Sequence, residues 1–249
     1  MKKHLIAIIG GTGLTEYEGL EVIKTVEAET ALGAPSAPLI FGKLQDQDVV
    51  FLARHGKAHS VAPHKVNYRA NILALKEAGV TQIIAVNAVG GITEKMVSGA
   101  ICTPDQIIDY THGRSDTFFD GDFQPLDHID FSYPYDAQVS AQLNQAADQV
   151  QVPVESSGVY GATQGPRLET AAEVLRLEKD GCDMVGMTGM PEAVLARELG
   201  LPYACLALVV NPAAGKSDQL ITMDDIRRVI ATGMLDIKKV IAQYLANKR

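Results

Sequence analysis

His4-Leu-Ile-Ala-Ile-Ile-Gly-Gly-Thr-Gly13 is an apolar run that stops at three glycines set around one hydroxyl. Residues 4–9 read as a buried strand and Gly10–Gly13 as the turn that leaves it. At such a turn backbone N–H groups converge on an anion, and the Thr12 hydroxyl adds a donor. Glycines also serve plain tight turns, so the stretch alone does not name a ligand. Two nucleotide motifs are disfavoured. A Walker loop needs Gly-Lys-Ser/Thr, which is missing, and the dinucleotide fingerprint needs a third glycine where Glu16 stands, whose carboxylate would repel a pyrophosphate.

The strand-and-turn rhythm continues outward from this stretch. Pro38–Leu44 and Val49–Ala53 flank the polar Gln45-Asp-Gln-Asp48 and predict a hairpin. A helix is expected over 66–78, stopping at Gly79, then a short strand Gln82–Asn87 ending in the turn Ala88-Val-Gly-Gly91, and another strand near 104–109. Asp136 opens a helix in which Val139, Leu143, Ala146 and Val150 recur on one face. The second half repeats the alternation: extended 156–162, helical Glu169–Lys179, strand Asp183–Met187, and a helix with Pro191 in its first turn that ends near Gly200. Pro202–Val210 is nearly continuous apolar sequence, as in a strand covered on both faces. Thr222 and Asp225 resemble a capping box for a last helix striped by Ile226, Val229, Ile230, Ile237, Val240 and Ile241. Residues 110–135 break the rhythm and hold half of the chain's Phe and Tyr residues. That loop reads as a substrate lid or a subunit contact, with packing against its own core as the alternative.

No Pro/Gly/Ser-rich linker divides the 249 residues, so a single α/β domain over 1–249 is expected. A hydrophobic fraction of 47% supplies an ample core. The balance of 22 basic against 30 acidic side chains, net −8, with only the short clusters Lys2-Lys3 and Lys238-Lys239, argues against nucleic acid as partner. Cys102, Cys182 and Cys205 form no CxxC pair and are odd in number, so they read as core thiols in a reducing compartment. No apolar run approaches the ~18 residues of a membrane span. The charged N-terminus begins as a signal peptide does, but its apolar stretch ends at glycines too soon, so a cytoplasmic location is expected.

Arg54-His55-Gly56 follows a predicted strand; arginine grips phosphate bidentately and histidine offers a second donor. A metal site at His55, His59 and His64 is disfavoured because Gly56 and Pro63 break the spacing and no carboxylate lies among them. Asn87–Gly91 and Gly186–Glu192, the latter with the Thr188 hydroxyl near a helix start, are two more strand-end turns. Four such ends predict one cleft at a sheet edge, holding a small anion next to something apolar.

Gly10-Gly-Thr-Gly-Leu14, Ala53-Arg-His-Gly56, Val66-Asn-Tyr68, Gly165-Pro-Arg-Leu-Glu169 and Met187-Thr-Gly-Met-Pro-Glu192, in this order over nearly the whole chain, resemble the trimeric purine nucleoside and methylthioadenosine phosphorylases. The resemblance implies a three-layer α/β/α sandwich with a mixed, partly barrel-like central sheet, and a homotrimer. It implies phosphorolysis of a nucleoside to a free base and a ribose 1-phosphate, with inorganic phosphate as co-substrate and no metal or organic cofactor. It places phosphate on Thr12, Arg54, His55, Ala88 and Thr188 and sets Met187 under the ribose, with His55 and Asn211 as candidate catalytic residues.

The base pocket departs from the methylthioadenosine enzymes, which carry two aspartates where this chain has Asn211 and Ala213. An Asn amide donates to O6 and N7 of a 6-oxopurine, and Glu169 stands where 6-oxopurine phosphorylases place a glutamate facing N1–H. At the sugar end, enzymes using a free 5′-hydroxyl place a histidine at the start of the final helix; here Met223 and Ile226 offer an apolar pocket instead. His128, in the aromatic loop, matches a residue that a neighbouring subunit lends to that pocket. A 6-oxopurine site joined to an apolar 5′ pocket describes 5′-methylthioinosine as the nucleoside. Inosine/guanosine and methylthioadenosine phosphorylases are the alternatives, followed by a hydrolytic nucleosidase and a non-catalytic purine sensor.

Overall fold

The run at the head of the chain forms β1 (Ile6–Gly10), buried along its whole length. It lies in parallel between β4 (Gln47–Ala53) and β5 (Gln82–Gly91). A computed structural model describes residues 4–14, 17–218 and 220–248. Lys2-Lys3 and Glu16, which enter the charge and dinucleotide readings, lie outside the described residues.

The predicted hairpin is β3 (Leu39–Leu44) with β4, turning at Gln45 and Asp46 with φ of 51° and 62°. Two consecutive left-handed residues are the turn geometry that matches strand twist. β2 (Glu21–Val26) adds an exposed edge strand to β3, which the sequence reading did not anticipate. The remaining strands are β6 (Ile101–Cys102), β7 (Gln106–Asp109), β8 (Val154–Glu155), β9 (Val159–Ala162), β10 (Met184–Gly186) and β11 (Tyr203–Pro212). Among the described residues they form one open, mixed sheet in the order β2-β3-β4-β1-β5-β10-β9-β7, with β11, β6 and β8 branching from β5.

Helices cover this sheet as the α/β/α reading requires: α1 (Tyr68–Glu77), α2 (Ala137–Gln149), α3 (Ala171–Lys179), α4 (Gly189–Glu198) and α5 (Met223–Ala246). The starts of α1, α2, α3 and α5 follow from side-chain caps at Asn67, Asp136, Thr170 and Thr222, each accepting a backbone N–H three residues on. The Thr170 cap starts α3 after Glu169, so Glu169 lies outside the helix expected to include it. α2 and α5 pack on each other and on β11, while α1 and α4 pack together and α4 reaches β9 and β11. β11 is buried from Tyr203 to Asn211, as its unbroken apolar run predicts.

Two expectations change. β5 does not end at Asn87 but runs through the small residues to Gly91. The cleft, too, is not at the sheet's lateral edge. β1 accompanies β5 only as far as Ala85, and β10 joins β5 only at Gly90, so the sheet forks between them. On that side Val86–Val89 have no strand partner, and the opening lies over the middle of the sheet.

The irregular 110–135 stretch carries no helix or strand. Phe118 and Tyr135 are buried in the main core and Phe123 packs on Phe118, whereas Leu126 and Tyr133 remain exposed. Its inner face is thus a loop packed on its own core. The three cysteines are buried and free. No helix among the described residues is long and apolar enough to cross a membrane.

Candidate active site

The fork in the sheet opens into a cavity of about 430 Å³. Gly11 and Thr12, leaving β1, line one wall with Arg54 and His55, which leave β4. Ala88 comes from the stretch of β5 that lacks a partner on the fork side, and Met187 and Thr188 from the turn after β10. Glu169, Asn211, Ala213, Met223 and Ile226 complete the predicted set inside the same cavity. His128 does not join them: it sits exposed in the 110–135 loop, outside the cavity of its own chain.

Arg54 is the anchor, though not in the expected way. Its side chain is fully buried, and its bidentate fork closes on Glu192, with Nε and Nη2 each donating over 2.6 Å. Nη2 also donates to Asn87 Oδ1 (3.2 Å) and Nη1 to Val86 O (3.0 Å), a carbonyl in the stretch of β5 that lacks a strand partner on the fork side. Four of five N–H groups are thereby used within the protein, leaving one on Nη1. Bidentate capture of phosphate by Arg54 is therefore corrected to a single charged donor held rigidly from behind. Tyr203 supports the pair by donating to Glu192 Oε1 at 2.9 Å. Burial, reinforced by the Glu192 charge, holds the Tyr203 phenol well above its ordinary range and hence protonated. The Arg54 pKa is raised because Glu192 outweighs the cost of burial.

Gly11 is required where it stands. A Cβ there would lie 2.5 Å from Val86 O and 2.7 Å from Arg54 Nη1, so any side chain would displace the guanidinium.

Asn87 orders the other side. Its Nδ2 donates to the Thr188 hydroxyl at 2.9 Å, which leaves the hydroxyl's own proton to donate elsewhere. His55 Nδ1 lies 2.8 Å from Val61 O; a carbonyl only accepts, so the proton sits on Nδ1. Burial and the neighbouring Arg54 charge lower the His55 pKa to about 4. At neutral pH its Nε2 is an acceptor, which corrects the expectation that it donates to an anion. His59, whose ring centroid is 4.6 Å from that of His55, is within 3.4 Å of the Thr12 hydroxyl through Nε2. His64 lines a separate cavity beside Tyr68, and among the described residues no group of three or more His, Cys, Asp or Glu is placed to hold a metal.

Asn211, Glu169, Met223 and Ile226 line the opposite side of the cavity. A bulge between Val209 and Asn211 shifts the β11 register and re-aims Asn211, which is 8% exposed. Asn211 Nδ2 donates to Pro212 O at 2.6 Å, which fixes the amide's orientation because the carbonyl admits only the nitrogen. Glu169 Oε1 accepts from the Thr163 hydroxyl at 2.6 Å, leaving Oε2 available. Met223, in the first turn of α5, and Ile226 below it supply an apolar end; Met223 is 58% exposed and Ile226 buried.

Glu192, Asn87, Tyr203 and His59 had no role assigned from the sequence. Two carried a signal: Asn87 is the polar residue in an apolar strand, and Glu192 is a carboxylate in the small and apolar run Gly189–Ala196.

The phosphorylase superfamily model matches residues 5–246. The chain belongs to that superfamily. A probable S-methyl-5′-thioinosine phosphorylase of Pseudomonas syringae pv. tomato is 55% identical over 240 residues, covering 96% of this chain and 98% of the relative. A 6-oxopurine nucleoside phosphorylase of Pyrococcus furiosus is 42% identical over 245 residues, covering 95% and 90%. Among solved structures, methylthioadenosine phosphorylase from Schistosoma mansoni in complex with adenine superposes with a TM-score of 0.95 at 30% identity, over 99% of this chain and 92% of that one. This superfamily member is accordingly a pentosyltransferase with phosphate as acceptor. Its Val66-Asn-Tyr68 motif is structural: Asn67 caps α1 and donates to Leu32 O, and the Tyr68 hydroxyl donates to Pro63 O.

Proposed function

We propose that the chain catalyses phosphorolysis of S-methyl-5′-thioinosine, giving hypoxanthine and 5-methylthioribose 1-phosphate in purine salvage. The observation that carries this reading is Asn211: an amide of fixed orientation, not a carboxylate, stands on the β11 bulge in the cavity that also holds Glu169 and Met223. The names of the relatives at high identity support it. The second Asn211 N–H donates to O6 or N7, and Glu169 accepts from N1–H, a group adenine lacks. Met223 and Ile226 take the methylthio group, and Met187 lies under the ribose.

Phosphate occupies the donors at Thr12, Arg54 Nη1, Ala88 and Thr188. Neutral His55 accepts from the hydroxyl that hydrogen phosphate retains at neutral pH. As the glycosidic bond breaks, positive charge grows on the sugar and negative charge on the purine; phosphate stabilises the first and Asn211 the second. Positioning supplies much of the rest, and the reaction needs no metal or organic cofactor. The reading further takes the protein as a single-domain cytoplasmic homotrimer in which His128 of a neighbouring copy reaches the 5′ end of the cavity.

Kinetics on methylthioinosine, methylthioadenosine and inosine, each with and without phosphate, test it. Methylthioinosine is expected to give the highest kcat/KM, and omission of phosphate to stop turnover. A preference for methylthioadenosine overturns the base assignment, a preference for inosine the sugar assignment, and phosphate-independent cleavage the reaction class. Met223→His is expected to narrow the gap between inosine and methylthioinosine by about tenfold, because the imidazole hydrogen-bonds a 5′-hydroxyl and packs less well on a methylthio group. Equal losses on both substrates would show Met223 to be only packing.

A further inference from the structure

The clamp at the ends of β9 and β10 comes from a residue in the aperiodic loop. These two strands run in parallel as far as Ala162 and Gly186; one last rung joins Thr163 N to Gly186 O at 2.8 Å, and the chains then separate. Carbonyls past that point have no ladder, and in this half-buried turn they take other donors. Arg114 supplies them. Its Nη1 donates to Met187 O (2.9 Å) and Met190 O (2.6 Å), and its Nη2 to Thr163 O (3.2 Å) and Gln164 O (2.9 Å). Nε donates to Gln164 Oε1 at 3.2 Å, and the guanidinium lies 5.6 Å from the centroid of the Tyr68 ring. Every one of these acceptors is a neutral oxygen.

We propose that Arg114 is a positioning residue for the reaction, setting the separation between the segment that reads the base and the segment that carries the sugar and phosphate contacts. The inference rests on phosphorolysis at this cavity. Its decisive link is Thr163, whose carbonyl Arg114 holds and whose hydroxyl orients Glu169. On the other side, the clamped Met187 precedes Thr188. Thr188 is also held by Asn87 and by Tyr160, so loss of the clamp frees the base-reading side more than the phosphate side. A planar fork is needed to span four carbonyls on two segments of the chain, and the compact lysine ammonium does not reproduce it.

Arg114→Lys, Arg114→Met and Thr163→Val are to be compared with the wild type as full chains. The readouts are melting temperature, kcat, KM for nucleoside and for phosphate, and calorimetric affinity for the free base in the presence of phosphate. Both Arg114 variants are expected to lose about 30–100-fold in kcat/KM for the nucleoside and about tenfold in base affinity, with the phosphate KM changed by less than about threefold. Thr163→Val, which keeps the clamped carbonyl, is expected to reproduce the loss of base affinity. Wild-type behaviour of Arg114→Lys overturns the proposal, as does parallel decay of both KM values in step with melting temperature. Unchanged base affinity in Thr163→Val overturns it too, even where the Arg114 variants fail to fold. The wild type's own preference judges the substrate reading separately, and Arg114 is scored on whichever nucleoside the wild type uses best and on that nucleoside's base.

Discussion

Glu192→Gln is expected to lower the stability of the fold by about 3–5 kcal/mol in phosphate-free buffer. Arg54 and Glu192 are both fully buried and meet over 2.6 Å, so their favourable Coulomb energy is set against the desolvation of two ions. Removing one charge leaves the other without compensation in a low-dielectric interior, and the amide puts an N–H where the guanidinium needs an acceptor. An anion at the remaining Nη1 proton restores part of the missing negative charge. Saturating phosphate is therefore expected to raise the melting temperature of Glu192→Gln by more than that of the wild type. The double replacement Arg54→Met with Glu192→Met removes both ions together and is expected to recover most of the stability. It should still lose a hundredfold or more in phosphorolysis, because the charged donor is gone. Urea unfolding with and without phosphate checks the series. A Glu192→Gln variant within about 1 kcal/mol of the wild type would mean that water reaches the pair and that Arg54 is not held from behind.

That pairing also marks where the sequence stops being legible. Local rules succeeded where the determinant is local: the buried run of β1, the β3–β4 hairpin, the caps at Asp136 and Thr222, and the double-sided burial of β11. Gly90 and Gly91 read as a turn in the sequence, which ends β5 too early. In the fold they are strand residues that admit a close neighbour, since a Cβ on Gly91 would lie 1.8 Å from Met96 O. β2 is not legible because an edge strand exposed at all but its last residue shows no alternation, and β6 and β8 because two residues carry no period. Eleven of the twelve candidate site residues converge on one cavity: those on the strand-end turns announce themselves by small residues next to donors, while Glu169, Asn211, Ala213, Met223 and Ile226 were placed there by the family resemblance. What those donors face was hidden, since Arg54 and Glu192 are 138 residues apart and only the assembled sheet shows the fork already occupied. The same holds for Arg114, whose Nη1 and Nη2 meet four backbone carbonyls that exist as a cluster only in the assembled fold.

Asn211→Asp is expected to lower the ratio of kcat/KM for methylthioinosine over methylthioadenosine by a hundredfold or more. The amide's Nδ2 is tied to Pro212 O; in the proposed reading its second N–H donates to a purine whose O6 and N7 are both acceptors. A carboxylate at the same place has no proton to give. It opposes O6 directly, accepts instead from the 6-amino group of adenine, and leaves Pro212 O facing an anion. The loss on the 6-oxopurine is therefore expected to exceed the gain on the 6-aminopurine. Glu169, whose Oε1 is taken by Thr163, is expected to limit the reversal: in the proposed reading its Oε2 still meets N1–H of hypoxanthine and still finds no proton on N1 of adenine. Adding Ala213→Asp, at the second position where the adenine-specific enzymes carry an aspartate, is expected to move the ratio further in the same direction. Steady-state kinetics on the two nucleosides at saturating phosphate measures both steps. A ratio within about threefold of the wild type's would show that Asn211 does not face the base, and the 6-oxopurine assignment would then rest on Glu169 alone.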